Sequence, residues 1–255
     1  MASFWVQPCG KCHFCTLQRY FSLMCIQHIT LETPCSGSKM AISIQPELVL
    51  TDPSMLRSIK AYLPHLLAIT FAIFFILLAI EPVSRQVWLA EVIPVVLIYG
   101  FLIATFNRFR FSNTAYLLMA FWLFWHTIGG HYTFAHVPFE WLSQISSDGR
   151  NHFDRIGHFS IGFYAFAMAE WLLRNRCCSL KLAMLFSIFF IMSVAAGYEI
   201  IEWWYAVAEG GDAGIEFLGS QGDIWDAQKD MLADTLGALF SLLIFWFIRP
   251  DKNRP

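Results

Sequence analysis

Six apolar stretches, at about 63–80, 87–106, 114–130, 157–173, 182–205 and 230–248, each approach the length a bilayer-crossing helix needs. A chain so divided has few choices. In hydrocarbon every backbone N–H and C=O must be satisfied within its own segment or barrel, and apolar runs of this length satisfy theirs as helices. Composition agrees: 57% of residues are hydrophobic, 14% are charged and the mean hydropathy is +0.52. An ordinary soluble domain is about a quarter charged. The expected architecture is all-α, a polytopic bundle of six transmembrane helices with the lipid bilayer as its solvent. A net charge of −2 gives no general attraction to nucleic acid. Pro64, Pro82, Pro138 and Pro250 fall near expected span ends, where a missing N–H costs little. Pro94 falls inside the second span and predicts a kink there.

Charge sets the expected orientation. Arg57, Lys60, Arg108, Arg110, Arg174, Arg176, Lys181, Arg249, Lys252 and Arg254 fall at one end of the spans; Arg85, Arg150, Arg155 and Lys229 fall at the other. The positive-inside rule then places both termini in the cytoplasm. The outer ends carry the polar residues. His126, His131 and His136 close the third span, Asp154 and His158 open the fourth, Glu199 and Glu202 end the fifth, and Asp226, Asp230 and Asp234 open the sixth. Glu81 and Glu91 lie toward the same face.

Helical spacing sharpens the cluster. Asp154 and His158 are four apart and share a face, as do Glu199 and Glu202 at three apart. Asp226, Asp230 and Asp234 form a single stripe. His126 and His131 are five apart, and Gly129-Gly130 between them predicts a break that turns both inward. A carboxylate at mid-span costs about 2.5–3.5 kcal/mol, so these groups are expected to face one another, a cation or a water-filled cavity. Asp226, nearest the surface, has solvation as its plainer reading.

The same residues carry a family resemblance. The run Asp154-Arg155-Ile156-Gly157-His158-Phe159 resembles the Asp-Lys/Arg-x-x-His-Phe signature of VanZ-like membrane proteins. Tyr198-Glu199-Ile200-Ile201-Glu202-Trp203 is similar to the acidic position on that group's next span, and DAQKDMLADTLG, from Asp226 to Gly237, resembles its later aspartate-rich helix. Within the group, the stretch from about 56 to 250 looks most like the YjdF-type bacterial inner membrane proteins, through HTIGGHYTFAHVPF, FDRIGHFSIGF, GYEIIEWW and GDIWDAQKDMLADTLGA. The resemblance implies a multi-pass protein of the bacterial inner membrane. VanZ-like relatives are associated with glycopeptide tolerance; the second glutamate and the histidine-rich third span depart from their pattern.

Residues 1–54 read as a cysteine-containing extension and 55–255 as the membrane domain. Cys9, Cys12, Cys25 and His28 have a zinc-ribbon-like rhythm. The segment offers no convincing core, however, and Met55 followed by Leu-Arg-Ser-Ile-Lys is a natural start for a membrane protein. A disordered tail or a mis-assigned start is the stronger expectation. Trp122, Trp125, Trp141, Trp203, Trp204 and Trp225 read as an outer interfacial belt, and Gly210-Gly211-Asp212-Ala213-Gly214 as a flexible outer loop.

The functional expectation is a site facing the periplasm, acting on an envelope lipid or lipid-linked ligand. Asp154, His158, Glu199, Glu202, Asp226 and Asp230 are its candidate acid–base residues. His126, His131, His158 and Glu202 are candidate ligands of a divalent metal, since mixed histidine and carboxylate shells suit zinc, manganese or iron. A small proton-coupled transporter and a non-catalytic scaffold are the alternatives; the absence of a visible internal repeat weighs against a carrier.

Overall fold

The computed structural model describes residues 53–139 and 149–252. The cysteine-rich segment and Trp141 lie outside these residues. The chain divides into two compact units at Tyr62/Leu63. The first contributes only the start of one helix to the described residues.

Eight helices and no strand occur among the described residues: α1 (Pro53–Leu78), α2 (Arg85–Thr105), α3 (Asn113–Tyr132), α4 (Phe153–Ile161), α5 (Tyr164–Arg174), α6 (Leu180–Glu209), α7 (Gly211–Leu218) and α8 (Asp226–Ile248). Five segments are long and apolar enough to cross a membrane: Ile59–Leu78, α2, Phe153–Arg174 (α4 with α5), α6 and α8. Their outward sides carry exposed Leu, Ile and Phe, such as Leu97, Phe101, Leu185 and Phe247, as lipid-facing helices do. The expected third span is α3. It has the length, but two histidines, two glycines and two tryptophans dilute it, and it is not among the five. The expectation of six spans is thus met by five.

Other expectations are corrected. The Gly129-Gly130 pair does not break α3, which runs on to Tyr132. A Cβ on Gly130 would lie 3.1 Å from the Glu91 Cβ, so this glycine lets α2 approach α3; one on Gly129 would overlap the Phe134 ring, which folds back against the helix. Pro64 is interior, because α1 begins at Pro53. Gly211–Leu218 is a short helix rather than a loop.

One contact positions the site. Without a hydrophobic force between helices in lipid, small residues at crossings decide how closely they pack. A Cβ on Gly237 of α8 would stand 1.8 Å from the Phe159 carbonyl oxygen, and one on Gly162 would stand 2.4 Å from backbone of α8. The two helices therefore touch backbone to backbone. At Gly162–Phe163 the span tightens into i→i+3 hydrogen bonds. The Gly162 carbonyl accepts from the Ala165 N–H and also from Ser241 Oγ at 3.2 Å. This crossing sets the acidic stripe of α8 against the histidine of α4.

The opposite end of the bundle is held by a knot of different chemistry. Glu170 is fully buried and accepts from the Ser112 N–H (2.8 Å), Ser112 Oγ (2.7 Å) and Arg174 (2.8 Å). Ser112 also caps α3, accepting from the Ala115 N–H.

Candidate functional site

Asp226, Asp230 and Asp234 all face α4 and are all buried. Asp226, expected to be solvated, is 7% exposed and takes two guanidinium groups, Arg150 at 2.6 Å and Arg155 at 2.7 Å. Arg155 also pairs with Asp230. Two arginines thus neutralise two aspartates, as buried charges require.

The next layer is balanced only in part: Arg155 bonds the Asp230 Oδ1 and Arg150 stands 3.8 Å from Asp154 Oδ2, while Asp234 has no arginine. His158 Nδ1–H donates to Asp234 Oδ2 at 3.3 Å. With Nδ1 carrying the proton, the Nε2 of a neutral ring presents a lone pair. That atom faces Asp154 Oδ1 at 3.6 Å and Asp230 Oδ1 at 3.8 Å. Ligand atoms of Asp154, His158 and Asp230 all lie within 4.8 Å of one another. Arg155 and Arg150 offset part of the charge on these oxygens, and a proton on Nε2 or a bound cation would offset the rest. A carboxylate orienting one ring nitrogen while the other faces a cation is the usual outer shell of a metal-binding histidine. The second Asp234 oxygen, Oδ1, is buried without a hydrogen-bond partner.

Asp154, His158 and Asp234 line a cavity of about 100 Å³. Glu91, His126, Tyr198 and Glu202 complete its polar lining, and no Lys or Arg is among the lining residues. Glu91, 2% exposed, lies 3.1 Å from His126 Nε2 and accepts from Tyr198 OH at 3.0 Å. His126 Nε2 also faces the Glu91 carbonyl at 3.1 Å, so Nε2 holds the proton. Deeper in, the lining turns apolar, with Ile98, Ile161 and Ile191. Phe217, Leu218 and Gly219, at the end of α7 and just beyond it, roof the polar end.

The remaining candidates fall elsewhere. His131 Nδ1 lies 2.7 Å from the Leu78 carbonyl and does not line the cavity, so the two histidines of α3 diverge. Glu199 is half-buried, lies outside the lining and leaves Oε1 without a partner. Trp122 is 4% exposed inside the bundle, its ring tilted against that of His126, while Trp203, Trp204 and Trp225 are exposed as a belt requires. His136 is in a loop and bonds to Thr133.

Loops stitch the roof down. Arg150 donates to Ser220 O at 2.6 Å, and Asn151 and Gln221 exchange two hydrogen bonds. Outside the spans, a hydrogen bond from Lys229 and another from the Trp225 N–H hold the Asp223 carboxyl below its ordinary range.

Sequence reasoning missed Tyr198 as a lining residue, the pairing of Glu91 with His126, and the Glu170 knot. Glu91 carried a signal, an acidic residue within a span; Tyr198 carried none beside its acidic neighbours.

Five apolar spans and a buried polar cavity define a multi-pass α-helical membrane protein. The chain belongs to the family described as "Predicted membrane protein (DUF2238)", whose profile matches residues 63–251. It is similar to Inner membrane protein YjdF of Escherichia coli (strain K12), 34% identical over 196 residues, which cover 74% of this chain and 91% of that protein. No solved structure matches the chain.

Proposed function

We propose that this is an inner-membrane protein whose cavity holds a divalent cation at the periplasmic end and acts there on the polar head of an envelope lipid or lipid-linked molecule. The convergence of Asp154, His158 and Asp230 within 4.8 Å is the observation that carries the reading. The excess of carboxylate supports it: Glu91, Asp234 and Glu202 have no Lys or Arg partner within 4 Å among the described residues. A cation there would polarise a phosphoryl or carbonyl oxygen and lower the pKa of a bound water. Glu202 and His126, on the facing walls, supply acid–base groups to the ligand. Six spans, with α3 shielded by its neighbours, and both termini in the cytoplasm follow from the distribution of Lys and Arg. The location follows from the resemblance to the Escherichia coli protein.

Elemental analysis of protein purified in mild detergent without chelator, beside His158→Ala, tests the reading. One transition metal per chain, lost in a folded variant, is expected; a metal-free wild type would sink it. Protonation of His158 instead of metal binding is the second reading, because a proton satisfies the same three atoms. A proton path across the membrane has less support, since the cavity floor is apolar.

A further inference from the structure

The cavity is amphipathic along its depth. On α6 its lining runs from Glu202 to Ile191, about 16 Å at 1.5 Å per residue. Glu91, Tyr198 and Glu202 stand at the outer level, and Pro94, Ile98 and Val194 line it further in. Around it α2 packs on α3, α3 on α4, α4 on α8, α8 on α6, and α7 on both α6 and α2. The α2–α6 seam differs. These two helices flank the cavity without sharing a packed face. Among the described residues one hydrogen bond crosses the seam, from Tyr198 OH to Glu91 at 3.0 Å. Small residues thin α6 at this level: Ala195 and Ala196 precede Gly197, where an added Cβ would meet nothing within 4 Å. Outside the seam, Leu97 is 67% exposed and Ile201 is 53% exposed, so the bilayer is its neighbour.

We infer that the α2–α6 seam is a lateral entry from the bilayer, latched by Tyr198 and Glu91, for a phosphate-bearing lipid whose head binds through the divalent cation. The inference rests on the reading of Asp154, His158 and Asp230 as a cation site. Size restricts the occupant. About 100 Å³ is the room of roughly three waters, enough for a small head group and not for a hydrocarbon chain as well. The chain must therefore stay in the seam, beside Ile98 and Val194. Charge restricts it further. Glu91, Asp154, Glu202 and Asp234 repel a bare phosphate, and a cation between them and the phosphate reverses that. The roof of Phe217, Leu218 and Gly219 covers the polar end, which favours entry from the side.

Photo-crosslinking in native membranes tests this with the full chain. Ile98→p-benzoylphenylalanine probes the seam and Leu97→p-benzoylphenylalanine the bulk lipid; Val194→p-benzoylphenylalanine repeats the seam probe from α6. Captured lipids are identified by mass spectrometry. One phosphorus-containing lipid class is expected at Ile98 and Val194, enriched about tenfold over its share at Leu97, with the enrichment lost after EDTA treatment. Tyr198→Phe, which removes only the latch hydroxyl, is expected to raise the capture rate roughly tenfold, the value of one hydrogen bond to a charged group. Equal lipid profiles at seam and bulk positions, or none in the seam, overturn lateral entry even where metal is found. Enrichment that survives EDTA overturns the cation-held head.

Discussion

Replacing Gly237 with Ala adds one methyl group at the crossing of α4 and α8. Its carbon would lie 1.8 Å from the Phe159 carbonyl oxygen and 3.3 Å from the Gly162 Cα. Both neighbours are backbone and cannot swing aside. Since non-bonded atoms rest about 3.5 Å apart, α8 must withdraw by about 1.5 Å. Overpacking of this kind costs about 1–3 kcal/mol. Loss of the Ser241–Gly162 hydrogen bond adds about 1 kcal/mol. The better helix propensity of Ala returns about 1 kcal/mol. The net is a loss of about 1–3 kcal/mol, so the clash decides the sign. The same withdrawal carries Asp234 away from His158, now 3.3 Å apart, and loss of such an orienting partner lowers metal affinity about 10–100-fold. Thermal unfolding in detergent and a manganese titration read the two effects. A Gly237→Ala protein with wild-type melting and wild-type affinity would refute both the close crossing and its role in placing the site.

Further outcomes follow from other parts of the structure. His158→Ala should abolish stoichiometric metal and His131→Ala should leave it, because His131 is turned to the Leu78 carbonyl; elemental analysis of both decides. Glu170→Ala strands two Ser112 donors at the far end and leaves Arg174 with the Arg110 carbonyl alone, so it should cost about 3 kcal/mol in chemical unfolding while folded protein keeps its metal. Arg150→Gln should raise hydrogen exchange across 219–223, measured by mass spectrometry, since Arg150 holds that loop through Ser220 and Asp226. Asp223 titrates below its unfolded value, so its contribution is present above about pH 4 and fades as pH falls through its folded pKa. The melting difference between Asp223→Asn and wild type should accordingly be largest near neutrality and vanish in acid; a difference that does not change with pH would contradict the Lys229 pairing.

The spans were legible because a run of about twenty apolar residues states its own solvent. The five that qualify start and end within about four residues of the positions read from hydropathy, the larger differences including the end of α6 and the first turn of α8. The shared faces of Asp154 with His158, and of Asp226 with Asp230 and Asp234, were legible for a similar reason: within one helix, spacing is geometry. What spacing could not give was pairing between helices. That Arg155 would bridge Asp226 and Asp230, that Arg150 would reach Asp226 and Asp154, and that Asp234 would be left to His158 depends on the Gly162–Gly237 crossing, which brings together residues about 75 positions apart. The metal set read from sequence, His126, His131, His158 and Glu202, assumed that α3 would break at its glycines; because α3 continues, its histidines diverge to α2 and α1. Glu202 and His126 line the cavity, and Asp154 and Asp230 stand beside His158.

Pulsed electron paramagnetic resonance of the manganese-loaded protein addresses the cation site most directly. One Mn²⁺ per chain should show coupling to a single histidine nitrogen, and that coupling should vanish in His158→Gln. Absence of bound manganese, or nitrogen coupling that persists in His158→Gln, would contradict the assignment of Asp154, His158 and Asp230 as the ligands.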